Sequence, residues 1–401
     1  MSAEAWIIGA YMTRFGRYPD HDVIDLAAQA ALGALADAQS TMKEMQLLAA
    51  GCLSEAPNML GQRLQKQIGQ TGIPVYNVAN ACATGATAVR TAILAIKAGE
   101  ADMALAVGVE QMGKMGLLGN AGRSRPKPSA FTPSGRYGSV MPVEGILGTQ
   151  LMPGVFAQVG TEYAYEHDGV GFEQFAKVAE KNHAHSTLNP LAQYQKRFSL
   201  EEIMAAEMVA YPNTLLMCCP TGDGAAALVL CSDAKLASLD PDVRRRAVKV
   251  SASVLTSDPY VPSDMATFDV NTLTKQAASL AYEKAGVGPR DLDLVELHDC
   301  FATAELVHYE NLQLCDPGGA GDFIDRRAPW RDGEIPVNVS GGLISKGHPI
   351  GATGVANLYE VATHLRGEAG DRQIEGAKVG LTHVIGLGSA CAVHVLEKAV
   401  S

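Results

Sequence analysis

Ile73-Pro74-Val75 leads within a dozen residues to Gly85-Ala86-Thr87, and the same signature returns far downstream as Ile335-Pro336-Val337 followed by Gly351-Ala352-Thr353. A second echo lies upstream of each: Gln29-Ala30-Ala31 in one helical run, Gln276-Ala277-Ala278 in another. The separations far exceed the roughly 20 to 50 residues of a solenoid repeat, so the chain reads as one duplicated domain. Each copy alternates helix and strand. Asp25 to Ala38 and Ala86 to Ala98 are Ala- and Leu-rich at helical spacing, with Gly99 as a stop. Met103 to Val109 is a short continuous apolar run, the mark of a strand covered on both faces. In the second copy Thr274 to Lys284 reads as helix, and Leu292 to Leu297 and Val379 to Val384 as strands. Buried parallel or mixed sheets sandwiched by helices are expected.

The texture changes between the copies. From about Gly116 to Tyr211 the chain carries Arg123-Ser124-Arg125-Pro126-Lys127-Pro128, many Gly, Met and Tyr residues, and a polar helix near Gly171 to His185. This stretch is too long for a simple loop and is expected to cover a site. The Asp223-Gly224-Ala225 turn then returns the chain to a buried strand. The domain reading is therefore an N-terminal half over residues 1–115 and 212–245, an inserted loop domain over 116–211, and a C-terminal half over 246–401.

Three stretches carry chemistry. In Asn80-Ala81-Cys82-Ala83-Thr84-Gly85 the Cys82 sulfur follows a strand and stands near a helix N-terminus, a position that favours a thiolate and supplies backbone N–H groups to an oxyanion. The alternative is a small buried hydrophobe. His348, held between Gly347 and Pro349, would take the Cys82 proton, or would only satisfy its own loop. Because Gly85 and Gly351 are equivalent, Cys82 and His348 sit in corresponding loops, which face each other if the halves pack about a pseudo-twofold axis. His298-Asp299-Cys300-Phe301 follows a strand at the end where open sheets bind ligands. Its second thiol suits proton exchange with a carbanion and its histidine suits donation to a carbonyl oxygen, unless both are packed strand-end residues. Sequence-distant Cys and His are the usual form of a nucleophile and its base.

Other candidates carry less. Gly386-Leu387-Gly388 is an incomplete nucleotide loop, better used as a backbone N–H near an acyl group. His183-Ala184-His185 has no carboxylate or Cys partner for a metal and reads as a solvated helix end. Cys218-Cys219 reads as core, and Arg244-Arg245-Arg246 as a charged face. Arg123, Arg125 and Lys127 lie on the covering insertion, where they would meet phosphates. No metal is expected.

Composition excludes several classes. The 401 residues are 47% hydrophobic, enough for two or three cores, and the net charge of -11 disfavours nucleic acid or an anionic membrane as partner. No apolar run approaches the roughly 20 residues of a membrane span, and the start lacks a signal peptide's pattern. Eight cysteines without paired spacing read as reduced thiols.

Together these motifs resemble the thiolase family, specifically the sterol carrier protein x type. The resemblance covers residues 5 to 398 and rests on Asn80 to Gly85, Glu296 to Phe301, Ser340-Gly341-Gly342-Leu343-Ile344-Ser345-Lys346-Gly347-His348-Pro349, and Cys218-Cys219-Pro220-Thr221. It implies an α/β fold of five α-β-α-β-α layers built from two duplicated halves, with a loop domain over the active site. It also implies roles: Cys82 is acylated, His348 activates it and helps hold a thioester oxygen, Cys300 is acid and base at the substrate alpha carbon, and His298 joins an oxyanion hole where ordinary thiolases use Asn. Backbone N–H groups of Cys82 and Gly386 form the other hole. Ordinary thiolases keep a second cysteine in a Cys-x-Gly motif; here Val384-Ile385-Gly386 takes that place. Two departures stand out, Val384 for a usual Asn and Val339 for a usual Pro.

The resulting expectation is a thiolase-type acyltransferase that cleaves a 3-oxoacyl-CoA with coenzyme A, or runs the reverse Claisen condensation, in lipid or sterol side-chain breakdown. Coenzyme A is co-substrate and no cofactor is bound. A homodimer is expected, with a separate lipid-carrier protein as a further partner, since the animal carrier domain is absent. A terminal Ser-Lys-Leu is also missing, and a bacterial cytoplasmic enzyme fits these features. The competing readings are a thiolase-fold carbon-carbon lyase, a dedicated acyltransferase, and a non-catalytic lipid-binding or scaffold subunit.

Overall fold

The computed structural model describes residues 3–112, 151–259 and 270–399. Its strands are β1 (Ala5–Met12), β2 (Leu47–Gly51), β3 (Val75–Val78), β4 (Met103–Gln111), β5 (Met208–Ala210), β6 (Asn213–Thr214), β7 (Asp223–Ser232), β8 (Val248–Thr256), β9 (Leu294–Glu296), β10 (Val379–Gly386) and β11 (Ala390–Lys398). β5 and β6 pair with each other, and the rest run in the order β3-β2-β4-β7-β1-β8-β11-β10-β9.

That order is a palindrome of the duplication. β2 is parallel to β3 and β4, β4 is antiparallel to β7, and β7 is antiparallel to β1. In the second half β9 is parallel to Val337 and β10, β10 is antiparallel to β11, and β11 is antiparallel to β8. Val75 and Val337, ending the two Ile-Pro-Val signatures, therefore occupy equivalent places. The halves meet where β1 and β8 pair antiparallel through two residue pairs, Trp6 with Lys249 and Ile7 with Val248. The outer edges differ. β3 pairs with β2 alone among the described strands, and Tyr76 on it is 52% exposed, whereas Val337 beside β9 is buried.

Helices fill the same slots in both copies. The Val23–Asp37 and Thr272–Ala285 helices, carrying the two Gln-Ala-Ala echoes, follow β1 and β8 and lie on the outer faces. Asp22 starts the first by accepting from Ile24 N–H at 2.9 Å while Asp25 accepts from Asp22 N–H at 3.1 Å, a reciprocal cap that satisfies two otherwise orphaned donors. The Thr84–Lys97 and Ile350–Arg366 helices pack against each other between the two halves of the sheet. β4 shows how sequence fixes this layering. Met103, Leu105, Val107 and Val109 fill the core under the outer helix, while Ala104 and Ala106 alternate to the central layer, where small residues let the helices approach.

A third core joins β10 and β11 to the Leu151–Glu166, Phe172–Ser186, Thr272–Ala285 and Ala302–Asn311 helices. The polar helix read near Gly171 to His185 is the Phe172–Ser186 helix, and its end is not solvated. Lys181, Asn182, His183 and His185 are all buried there, because distant groups satisfy them. Lys181 Nζ pairs with Glu305 at 2.8 Å, and His183 Nε2 bonds to the Leu216 carbonyl at 2.9 Å. His185 Nδ1 bonds to the Asn338 carbonyl at 3.0 Å. Arg246 is likewise more than part of a charged face: it bridges Asp37 of one half at 2.6 Å and Glu368 of the other at 2.5 Å. Among the described residues, no helix is long and apolar enough to cross a membrane.

Candidate active site

Cys82 sits on a strained turn between β3 and the Thr84–Lys97 helix. Ala81 adopts φ +45°, a conformation that costs a non-glycine residue energy and persists only where neighbours enforce it. Thr84 is the enforcer. Its hydroxyl accepts from Asn80 N–H at 2.8 Å and donates to the Ala81 carbonyl at 2.6 Å. Gly386 closes the turn from the other half, since a Cβ there would stand 2.5 Å from the Asn80 carbonyl oxygen.

His348 precedes the Ile350–Arg366 helix, the equivalent element of the second copy. Its Nδ1 lies 2.7 Å from Thr353 Oγ1, and that hydroxyl donates to the Pro349 carbonyl at 3.0 Å. A Thr353 hydroxyl that donates to Pro349 accepts from the imidazole, an arrangement that puts the hydrogen on Nδ1 and leaves the Nε2 lone pair for the Cys82 proton. The sulfur of Cys82 and ring nitrogens of His298 and His348 lie within 4.8 Å of one another, and all three residues are buried. The His298 and His348 rings meet edge to face with centroids 5.2 Å apart. Neither ring nitrogen of His298 has a hydrogen-bond partner among the described residues. A buried imidazole without partners is costly unless a substrate, water or ion satisfies it. A sulfur and two imidazoles at this spacing are also the group able to hold a metal ion among the described residues.

Cys300, 3% exposed, stands on the loop after β9, two residues past His298 and near enough for a Cys82 charge to act on it. Asp299 anchors that loop by accepting from Leu343 N–H at 2.7 Å, Ile344 N–H at 3.2 Å and Asn182 Nδ2 at 2.8 Å. Gly342, at φ +58°, has no room for a Cβ beside this carboxylate. Asp299 thus links the His298 and Cys300 loop to the segment that leads into His348.

Burial sets the protonation states. The Cys82 thiol is pushed up to about 12 by burial and the Glu110 carboxylate, against backbone N–H groups of Leu387 and Cys82 itself. The helix N-terminus therefore does not produce the resting thiolate that the sequence position suggested: desolvation outweighs it. Burial also raises Cys300 well above the usual thiol value, with the Cys219, Cys82 and Asp299 charges adding. His348 is lowered to about 3 by burial and Lys346, and His298 well below its usual value by burial and three other histidines. At rest the site holds neutral thiols and neutral imidazoles.

The structure therefore brings Cys82, His298, His348, Cys300 and Gly386 to one place. Arg123, Arg125 and Lys127 lie outside the described residues. Val384 packs with Cys82, Ala83, Met112, Ile350 and Ala390 in one small apolar cluster, so this departure dries the nucleophile's surroundings, while Val339 is buried in the central core. Sequence reasoning missed Thr353, named Gly386 but not Leu387 as the backbone donor of its loop, and set aside Cys219, whose N–H donates to the Cys300 carbonyl at 2.9 Å. Thr353 was within reach of sequence alone, because it ends the repeated Gly-Ala-Thr.

A duplicated α/β body with a buried thiol and two imidazoles at its pseudo-twofold centre defines a thiol-dependent acyl-transfer class. Profiles described as "Thiolase, N-terminal domain" and "Thiolase C-terminal domain-like" match residues 5–204 and 256–398. "Sterol carrier protein 2" of Bos taurus is 40% identical over 400 residues, covering 97% of this chain and 71% of the relative. "Acetyl-CoA acetyltransferase" of Methanothermobacter thermautotrophicus is 35% identical over 397 residues, covering 98% and 99%. A solved structure titled "Ltp2-ChsH2(DUF35) aldolase" shares the fold at TM-score 0.78 and 21% identity, covering 98% of both chains. The chain belongs to the thiolase family. Its reaction class is thiolase-type acyl transfer.

Proposed function

We propose that this chain cleaves a 3-oxoacyl-CoA with coenzyme A, or condenses in reverse, as a sterol carrier protein x-type thiolase. The observation that supports this most is the meeting of the Cys82 sulfur with His298 and His348 nitrogens within 4.8 Å in a buried site. His348 Nε2 takes the Cys82 proton only once substrate is bound, because isolated charges are costly there. The thiolate adds to the 3-oxo carbon, with the oxyanion held by the N–H groups of Cys82 and Gly386. Cleavage of the bond between the alpha carbon and that carbonyl leaves an acyl-Cys82 and an acyl-CoA enolate. His298 and His348 hold the enolate oxygen, and Cys300 protonates the carbon. A second coenzyme A thiol then attacks the acyl group and frees Cys82, its proton restoring the one consumed.

Coenzyme A is co-substrate here, and the reading calls for no bound cofactor. The outer edge of β3, which no described strand covers, favours a second copy of this chain as partner. A separate lipid-carrier protein would deliver long acyl chains, and a cytoplasmic setting would keep the thiols reduced.

The test is mass spectrometry of the protein with a panel of 3-oxoacyl-CoA substrates. An acyl adduct on Cys82 that is absent in Cys82→Ser supports the reading, and no adduct from any substrate refutes it. Product formation that depends on free coenzyme A separates thiolysis from aldol-type cleavage, which needs none.

A further inference from the structure

An isolated antiparallel bridge pairs Cys218 with Phe301, and the same register carried one residue further brings Cys219 opposite Cys300. The Cys219 N–H donating to the Cys300 carbonyl at 2.9 Å belongs to that pairing. Directly opposed residues of an antiparallel pair project to the same face with Cα atoms about 5.5 Å apart, inside the roughly 4.4 to 6.8 Å that a disulfide requires. Both are free thiols. After burial, the Cys219 charge is the largest influence on the Cys300 thiol, and Cys82 acts on both, so the pair lies beside the nucleophile. Cys218 is turned to a different use, its sulfur donating to the Thr214 carbonyl at 3.2 Å.

The geometry points to Cys219 and Cys300 as a modification site, in which an oxidant of the peroxide class joins the two sulfurs and withdraws Cys300 from catalysis. Cys219 is partly exposed and Cys300 is 3% exposed, so Cys219 is oxidised first. Its sulfur takes one peroxide oxygen to become a sulfenic acid and releases one water. The Cys300 thiol then displaces the hydroxyl as a second water, and the sulfurs have supplied the two electrons that reduce the peroxide. The attacking species is the thiolate, so the reaction slows as pH falls. The disulfide rests on strand register alone, whereas its effect on turnover rests on the role proposed for Cys300.

Peptide mapping after peroxide treatment of the Cys82→Ser chain tests the bond without calling on activity. A Cys219–Cys300 linkage is expected there, and its absence, or a linkage that requires Cys82, overturns the proposal. In the otherwise unaltered protein, peroxide should cause a loss of thiolysis that a dithiol reductant reverses, and Cys219→Ala should abolish that reversible component. A Cys219→Ala chain that loses and regains activity as the unaltered one does would overturn it. Failure of the proposed function reads out differently, as no acyl adduct in the reduced protein.

Discussion

Gly85 and Gly351 hold equivalent places in the two halves of the chain, and they touch: a Cβ on Gly85 would stand 2.6 Å from the Gly351 carbonyl oxygen. The pseudo-twofold axis therefore passes between the starts of the Thr84–Lys97 and Ile350–Arg366 helices. Cys82 and His348 lie just before those helices. Their proximity follows from two backbones meeting without side chains between them.

Gly85→Ala tests that contact. The new methyl meets backbone atoms at 2.6 to 3.2 Å, which cannot give as a flexible side chain would. A loss of about 1 to 3 kcal/mol is expected in urea unfolding, with activity falling further as Cys82 and His348 move apart. Unchanged stability would mean the helices do not meet as described.

Thr353→Val removes the acceptor that fixes the His348 tautomer while nearly preserving volume. A fall of about 10- to 100-fold in kcat with little change in KM is expected, by analogy with other partners that orient a functional histidine. Thr353→Ser keeps the hydroxyl and should restore most of the rate. A Val variant as active as Ser would show that the tautomer does not matter.

His298→Asn keeps a donor where the family's ordinary members have Asn, and His298→Leu removes it. The Asn chain should stay within about tenfold of the original rate, and the Leu chain should lose about 10² to 10³ in kcat, the scale of one oxyanion-hole donor. Equal loss in both variants would point to imidazole chemistry beyond hydrogen bonding.

Stability should depend on pH through buried imidazoles. Burial lowers His183, His185, His298, His308, His348, His383 and His394, and brings His308, His348 and His394 to about 3. The unfolded chain takes up protons near pH 6.5, the ordinary range of a free imidazole, that the fold refuses. Unfolding is therefore favoured as pH drops. The stabilisation is fully present above about pH 7 and is lost on going towards pH 3, at up to about 1.4 kcal/mol per histidine per pH unit. Urea midpoints measured from pH 7.5 to 5 should fall steadily, and flat midpoints would contradict these burials.

Much of this was legible in the sequence because the duplication repeats local signals. The Ile-Pro-Val and Gly-Ala-Thr echoes located the equivalent strands and central helices, and the apolar run after Met103 gave a strand covered on both faces. What the sequence hid depends on contacts across long separations. His183 and His185 looked solvated because a polar helix end usually is, yet their partners Leu216 and Asn338 come from other parts of the chain. Lys181 likewise needs Glu305 to be buried at all. Cys219, though part of a quoted motif, gave no sign of its neighbour, since only the register of a bridge to Phe301 sets it against Cys300. The Cys82 thiol was misread for a related reason: the helix terminus is visible locally, whereas the walls that dry it come from Met112, Ile350 and Val384.

The unequal rims of the sheet govern how copies of this chain can assemble. Among the described residues no strand pairs with the outer side of β3, whereas the strip around Val337 caps β9. If two molecules join strand to strand through β3, each consumes the one sheet rim that no described strand covers, and growth stops at a closed pair. A duplication that left both rims bare would instead have made a monomer that polymerises into fibres.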